Sequence, residues 1–78
     1  MEDPGMIRIY ADFNAIDGNK LPLIFKGSIR DIQRQNVDLR EGMRIIVYDD
    51  GYEAEAIVEK VRGEWYAHVV EGTGRTTI

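Results

Sequence analysis

His68 is the only histidine in the chain and there is no cysteine, so nucleophilic chemistry would need a serine or threonine hydroxyl brought to that imidazole. Few hydroxyls are on offer. Ser28 stands at the start of a helical pattern, and Thr73, Thr76 and Thr77 fall in the aperiodic ending EGTGRTTI. A strand histidine with an ordinary hydrogen bond is the reading these residues support. Asp49, Asp50, Glu53 and Glu55 lie close enough in sequence to suggest a metal or acid/base cluster, because converging carboxylates shift each other's pKa. Yet Asp49 and Asp50 belong to a turn signal, while Glu53, Glu55 and Glu59 alternate like the solvent side of a strand. The stretch DFNAIDG, residues 12–18, fails as a calcium loop: Ile16 and Asp17 occupy the positions that need an oxygen ligand and a glycine, and Leu23 the position of the bidentate glutamate. These residues call for no catalytic group, metal or cofactor.

Two sets remain as candidate binding residues. Tyr48, Tyr52, Trp65 and Tyr66 are large, rigid aromatics of the kind that anchor interfaces, with the alternative that Trp65 seals one end of the core. Lys26, Arg30 and Arg34 form a basic stripe, since positions 30 and 34 share a helix face. An exposed Trp65 beside them would serve as a stacking platform for RNA or DNA. The net charge of −4 argues against a generic polyanion binder and leaves only such a local patch.

The elements that position these residues are legible from periodicity. From Met6, Ile7, Ile9, Ala11 and Phe13 alternate with Arg8, Tyr10 and Asp12, as in a half-buried strand. Asp17-Gly18-Asn19 reverses the chain, and LPLIFK forms a second, short strand that Pro22 confines to an edge. GSIRDIQRQN predicts a short helix capped by Ser28, with Ile29 and Ile32 docked on the sheet together with Val37 and Leu39. MRIIVYD, YEAEAIVEKV and EWYAHVV are three further strands, turned at Asp50-Gly51 and Arg62-Gly63.

Two-residue turns set Val47 opposite Ala54, Ile45 opposite Ala56, Val58 beside Ala67, and Trp65 opposite Lys60 on one apolar face. The other face then carries Tyr48, Ile46, Ile57, Val70, Tyr66 and His68 among glutamates, more aliphatic surface than a merely solvated face needs. A three-residue loop at Arg62-Gly63 would reverse the last strand, turning Trp65 outward and His68 inward.

With 78 residues, 44% hydrophobic and 31% charged, the chain specifies one small globular domain, expected over residues 6–70. Residues 1–5 are expected to be a disordered tail and 71–78 a C-terminal tail. The absence of cysteine suits a reducing compartment. MEDPGMIRIY carries acids where a secretory signal needs bases, and no apolar run approaches a membrane span, so a cytoplasmic protein without membrane contact is expected.

Residues 39–70, LREGMRIIVYDDGYEAEAIVEKVRGEWYAHVV, resemble SH3-like and Tudor-type barrels, in which a glycine precedes a strand, a turn follows, and an aromatic pair such as Trp65-Tyr66 opens a later strand. That resemblance implies a small barrel binding peptides, methylated side chains or nucleic acid through an aromatic groove. The expected fold is therefore mainly β (α+β): a five-stranded SH3-like barrel in the order β-β-α-β-β-β, closed by the first strand so that no edge is left bare. The expected function is a non-enzymatic protein-interaction module that meets a protein partner or its own copy through Tyr48, Ile46, Ile57, Trp65, Tyr66 and His68. The alternative is nucleic-acid binding through Lys26, Arg30 and Arg34.

Overall fold

A computed structural model describes residues 6–77, so the tail expected at residues 1–5 lies outside the described residues, as does Ile78. The elements are β1 (Arg8–Tyr10), a 3-10 turn (Phe13–Ala15), β2 (Lys20–Pro22), α1 (Lys26–Arg34), β3 (Arg44–Asp49), β4 (Tyr52–Val61), β5 (Glu64–Val69) and β6 (Arg75–Thr76). The fold is mainly β with one helix.

The meander has the register that the turn residues dictate. Asp49 faces Tyr52, Val47 faces Ala54 and Ile45 faces Ala56 across β3–β4; Val58 faces Ala67 and Lys60 faces Trp65 across β4–β5. At the second turn both Arg62 (φ 53°) and Gly63 (φ 82°) are left-handed, the geometry of a type I′ hairpin. Arginine accepts that conformation at a cost, and the two-residue register is kept. The loop that would have turned Trp65 outward does not occur.

One face of the sheet therefore holds the core: Ile9, Leu21, Ile45, Val47, Val58 and the small residues Ala54, Ala56 and Ala67 are all buried. Phe13, Ile32, Leu39, Met43 and Trp65 pack against it from the side. Burying each large aliphatic contributes roughly 1.5 to 3 kcal/mol, which makes this layer the main source of stability.

Six strands form one mixed sheet in the order β1-β3-β4-β5-β2, with β6 also on β4, and it is not the closed five-stranded barrel expected. β1 lies parallel to β3, and no pairing joins β1 to β2 among the described residues. Closure was expected because open edges must be protected; here they are protected by other means. On β2, the outward Lys20 exchanges backbone hydrogen bonds with Asp17 (2.9 and 3.0 Å), and Pro22 has no N–H to offer. On β1, α1 takes the place of a strand. Asp31 Oδ2 accepts from the Tyr10 N–H (3.0 Å), Ser28 Oγ donates to the Tyr10 carbonyl (2.5 Å), and Gln35 Nε2 donates to the Arg8 carbonyl (2.8 Å).

Ser28, Asp31 and Gln35 recur at helical spacing, so one polar helix face satisfies the outward backbone of β1. This corrects the role of Ser28. Phe25 occupies the N-cap without a side-chain cap bond, and Ser28, fully buried, is an edge partner instead. The helix can come this close because residue 27 is glycine: a Cβ there would meet Tyr10 Cδ2 at 2.8 Å.

Residues 71–77, expected as a tail, instead return along the strand edge. Arg75 and Thr76 pair with Glu53 and Tyr52, and the Thr77 N–H donates to Gly51. Thr73 Oγ1 accepts from the Glu55 N–H at 3.0 Å and donates to the Val70 carbonyl at 2.7 Å, pinning the bend between β5 and β6. No helix among the described residues is long and apolar enough to cross a membrane.

Candidate functional site

The outer face of the sheet brings together most of the expected contact residues. Alternation and register put Tyr48, Ile46, Ile57, Tyr66 and His68 on this side, with Trp65 on the opposite, core side. Charged side chains fill the spaces between the aliphatics. Arg44 lies opposite Ile57 and Glu55 opposite Ile46, so the Arg44–Glu55 ion pair (2.6 Å) runs diagonally between the two isoleucines. His68 Nδ1 stands 3.2 Å from Glu59, which also meets Lys20 Nζ at 3.2 Å. Lys20 first, and His68 after it, hold the Glu59 carboxyl below its ordinary range. Ile46, Ile57 and Tyr66 are half-buried among these charges.

A deeper polar network occupies one corner of the same face. Glu53 is almost wholly buried, with Oε1 taking Arg8 (2.8 Å) from β1 and Oε2 taking Arg75 (2.6 Å) from β6. Those two hydrogen bonds, outweighing burial, hold its carboxyl below the ordinary glutamate range. Arg8 also lies over the Tyr48 ring, 5.0 Å from its centroid. Tyr48 in turn donates its hydroxyl to Asp31 Oδ2 (2.5 Å), while Arg34 donates to Oδ1 (2.8 Å). Burial, reinforced by the bond to Asp31, pushes the Tyr48 hydroxyl up, so it stays a neutral donor at physiological pH.

This network has the residue types of an acid/base site without the access. Both oxygens of Asp31 and both of Glu53 are engaged, and among the described residues no buried side-chain polar atom lacks a partner. The arrangement ties α1, β1, β3, β4 and β6 together. Among the described residues, no three potential metal-ligating side chains converge.

An apolar concavity lies on the other side of the sheet. An open groove of about 360 Å³ is walled by Leu23, Ile29, Ile32, Val37, Leu39 and Trp65, with Gln33 and Asp38 at its margin. Local sequence builds it. The helix ends at Gln35 and Asn36 enters the left-handed region (φ 55°), so that the Val37 N–H donates to Ile32 (2.9 Å) and the Asn36 N–H to Gln33 (3.2 Å). This Schellman arrangement folds Val37 back beside Ile32 and makes both parts of one wall. The opposite wall is Trp65, held where the Leu23 N–H donates to its carbonyl (3.1 Å) and with Lys60 Nζ 5.0 Å above its ring.

Ile29, expected to dock on the sheet with Ile32, lines this groove and remains 45% exposed. Ile24, next in the chain to the groove-lining Leu23, is 56% exposed. Of the basic stripe, Lys26 and Arg30 point outward without a carboxylate partner among the described residues, whereas Arg34 is committed to Asp31. The side chains that sequence reasoning missed are Asp31 and Glu53. The groups that engage them lie far along the chain, Tyr10 and Tyr48 for Asp31 and Arg8 and Arg75 for Glu53, which adjacent spacing does not reveal.

No protein-family model, curated protein or solved structure matches the chain.

Proposed function

We propose that the protein is a non-enzymatic interaction module that holds a segment of a partner protein in the groove between α1 and Trp65. The observation that carries this reading is the combination of an open apolar groove with a half-exposed Ile29 inside it. An apolar side chain left in water beside an unfilled concavity gains about 25 cal/mol per Å² when a partner covers it. The lining supports binding over catalysis, because Asp38 is its single carboxylate and His68 lies on the other face. The site thus moves from the outer-face set of Tyr48, Ile46, Ile57, Tyr66 and His68, keeping only Trp65.

The likeness of residues 39–70 to SH3-like and Tudor-type barrels, whose members bind peptides beside aromatic side chains, supports the same reading without transferring a residue. A cytoplasmic setting accords with a chain that has no cysteine to oxidise. Nucleic-acid binding through Lys26, Arg30 and Arg34 is less well supported, since Arg34 is bonded to Asp31 and the net charge is −4.

The test is selection of peptides from a random displayed library on the immobilised full chain, in parallel with Ile29→Asp. That substitution puts a charge in the groove at a position already half in water, so the far-UV spectrum and melting temperature should be retained. Capture by the parent and its loss in the variant is the expected outcome. Equal capture by both, or none by either, refutes the groove as the contact surface.

A further inference from the structure

Resting on that reading, we infer that the groove's partner is an acidic peptide segment, with apolar side chains for the groove and aspartate or glutamate on either side of them. Charge complementarity around the groove points to it. The protein is acidic overall, and six of its ten cations, Arg8, Lys20, Arg34, Arg40, Arg44 and Arg75, are each paired with a carboxylate of the chain. Lys26, Arg30, Lys60 and Arg62 have no such partner among the described residues.

Three of these four border the groove. Lys26 precedes Ile29 by three helical positions and Arg30 precedes Gln33 by three, so each stands beside a lining residue on the surface of α1. Lys60 sits over the Trp65 ring on the opposite wall, and Arg62 follows at the tip of the same hairpin. Two carboxylates stand on this side as well, Asp38 in an exposed 3.4 Å pair with Arg40 and Glu41 with Oε2 3.4 Å from the Lys60 N–H, against the four unpaired cations.

An apolar trough between two unpaired cationic rims favours a ligand with the inverse pattern. Its acids would supply the counter-charges that the chain gives its other cations, and its apolar residues would cover Ile29 and Trp65. A basic or neutral apolar segment would fill the trough and leave the rims unmatched.

The experiment reads the composition of the captured peptides. The chain's only tryptophan lines the groove, so a synthetic blocked peptide of the recovered sequence should shift Trp65 emission on binding. The recovered peptides should carry Asp or Glu flanking paired apolar residues. Lys26→Glu with Arg30→Glu should weaken them about tenfold, as expected for reversing two exposed rim charges, and a peptide with lysine at each acidic position should regain affinity for that variant.

Neutral or basic captured peptides, or affinity indifferent to the double reversal, overturn the acidic class; if Ile29→Asp still abolishes capture, the groove reading survives that failure. Capture unaffected by Ile29→Asp removes the groove itself. Two further outcomes overturn the inference: oligonucleotide binding at about 50 mM salt that depends on Lys26 and Arg30 with no peptide captured, or a concentration-dependent dimer in sedimentation that Ile29→Asp dissolves.

Discussion

Replacing Asp31 with alanine tests how β1 is kept in the sheet. The carboxylate accepts from the Tyr10 N–H, the Tyr48 hydroxyl and Arg34, and its side chain is 1% exposed. Without it, Tyr10 and Tyr48 each keep a donor with no partner, at roughly 1 to 3 kcal/mol apiece. Arg34 is mostly in water and rehydrates, so its share is discounted. The expected loss is about 3 to 4 kcal/mol, a large part of what a domain of this size holds in reserve. With a urea slope near ~1 kcal/mol/M, the unfolding midpoint should fall by about 3 M.

Tyr10 and Tyr48 both donate to Oδ2, so Asp31→Asn can keep an oxygen for both of them and lose only the exposed Arg34 pair, and it should cost much less. The local readout is amide exchange: the Tyr10 N–H, protected in the parent by the helix alone, should speed up in Asp31→Ala by a larger factor than the core Val58 amide, and stay slow in Asp31→Asn. A loss below about 1 kcal/mol in Asp31→Ala, or an unaltered Tyr10 amide, would refute the account of α1 as the seal of that edge.

Glu53 links stability to pH. Its carboxyl is held below the ordinary value of 4.5 by Arg8 and Arg75, so its contribution is complete above that value and is lost as pH falls through the lower folded one. Urea midpoints measured between about pH 2 and 5 should therefore decline in the parent and decline less in Glu53→Gln, where Glu59 still contributes, and parallel curves would contradict the assignment. Gly27→Ala should melt lower despite alanine's better helix propensity, because the added methyl meets Tyr10 Cδ2 at 2.8 Å. A cost of about 1 to 3 kcal/mol by thermal unfolding is expected, and a gain would show that α1 can move off β1 freely.

The parts of the fold legible in the sequence are those fixed by neighbours in the chain. Two-residue turns and strict alternation place Val47 opposite Ala54 and Lys60 opposite Trp65, and no distant residue is needed to decide it. Pro22 marks an edge strand for the same local reason. What could not be read depends on partners far along the chain. Glu53 and Glu55 occupy equivalent positions in an alternating strand, yet only Glu53 is buried, because Arg8 and Arg75 arrive from opposite sides of the sheet.

Ser28 has the spacing of a cap and Asp31 that of a first-turn acid, and their true partner is the backbone of β1, eighteen and twenty-one residues earlier. The candidate site was half-visible for a related reason. Trp65 was singled out for its type, but the groove it lines depends on the left-handed Asn36 folding Val37 against Ile32, a tertiary consequence of a single backbone angle.

The parallel pairing of β1 with β3 also sets an order of assembly. β3, β4 and β5 are joined by turns of two residues and can zip within microseconds, whereas β1 must wait until residues 11–43 have been looped out. On a ribosome the mismatch is sharper, since β1 has no strand to pair with until Tyr48 has emerged, and β2 none until Ala67 has. The strands at both edges of the sheet thus wait for partners made later, and a chaperone or a misfolding encounter would meet them unpaired.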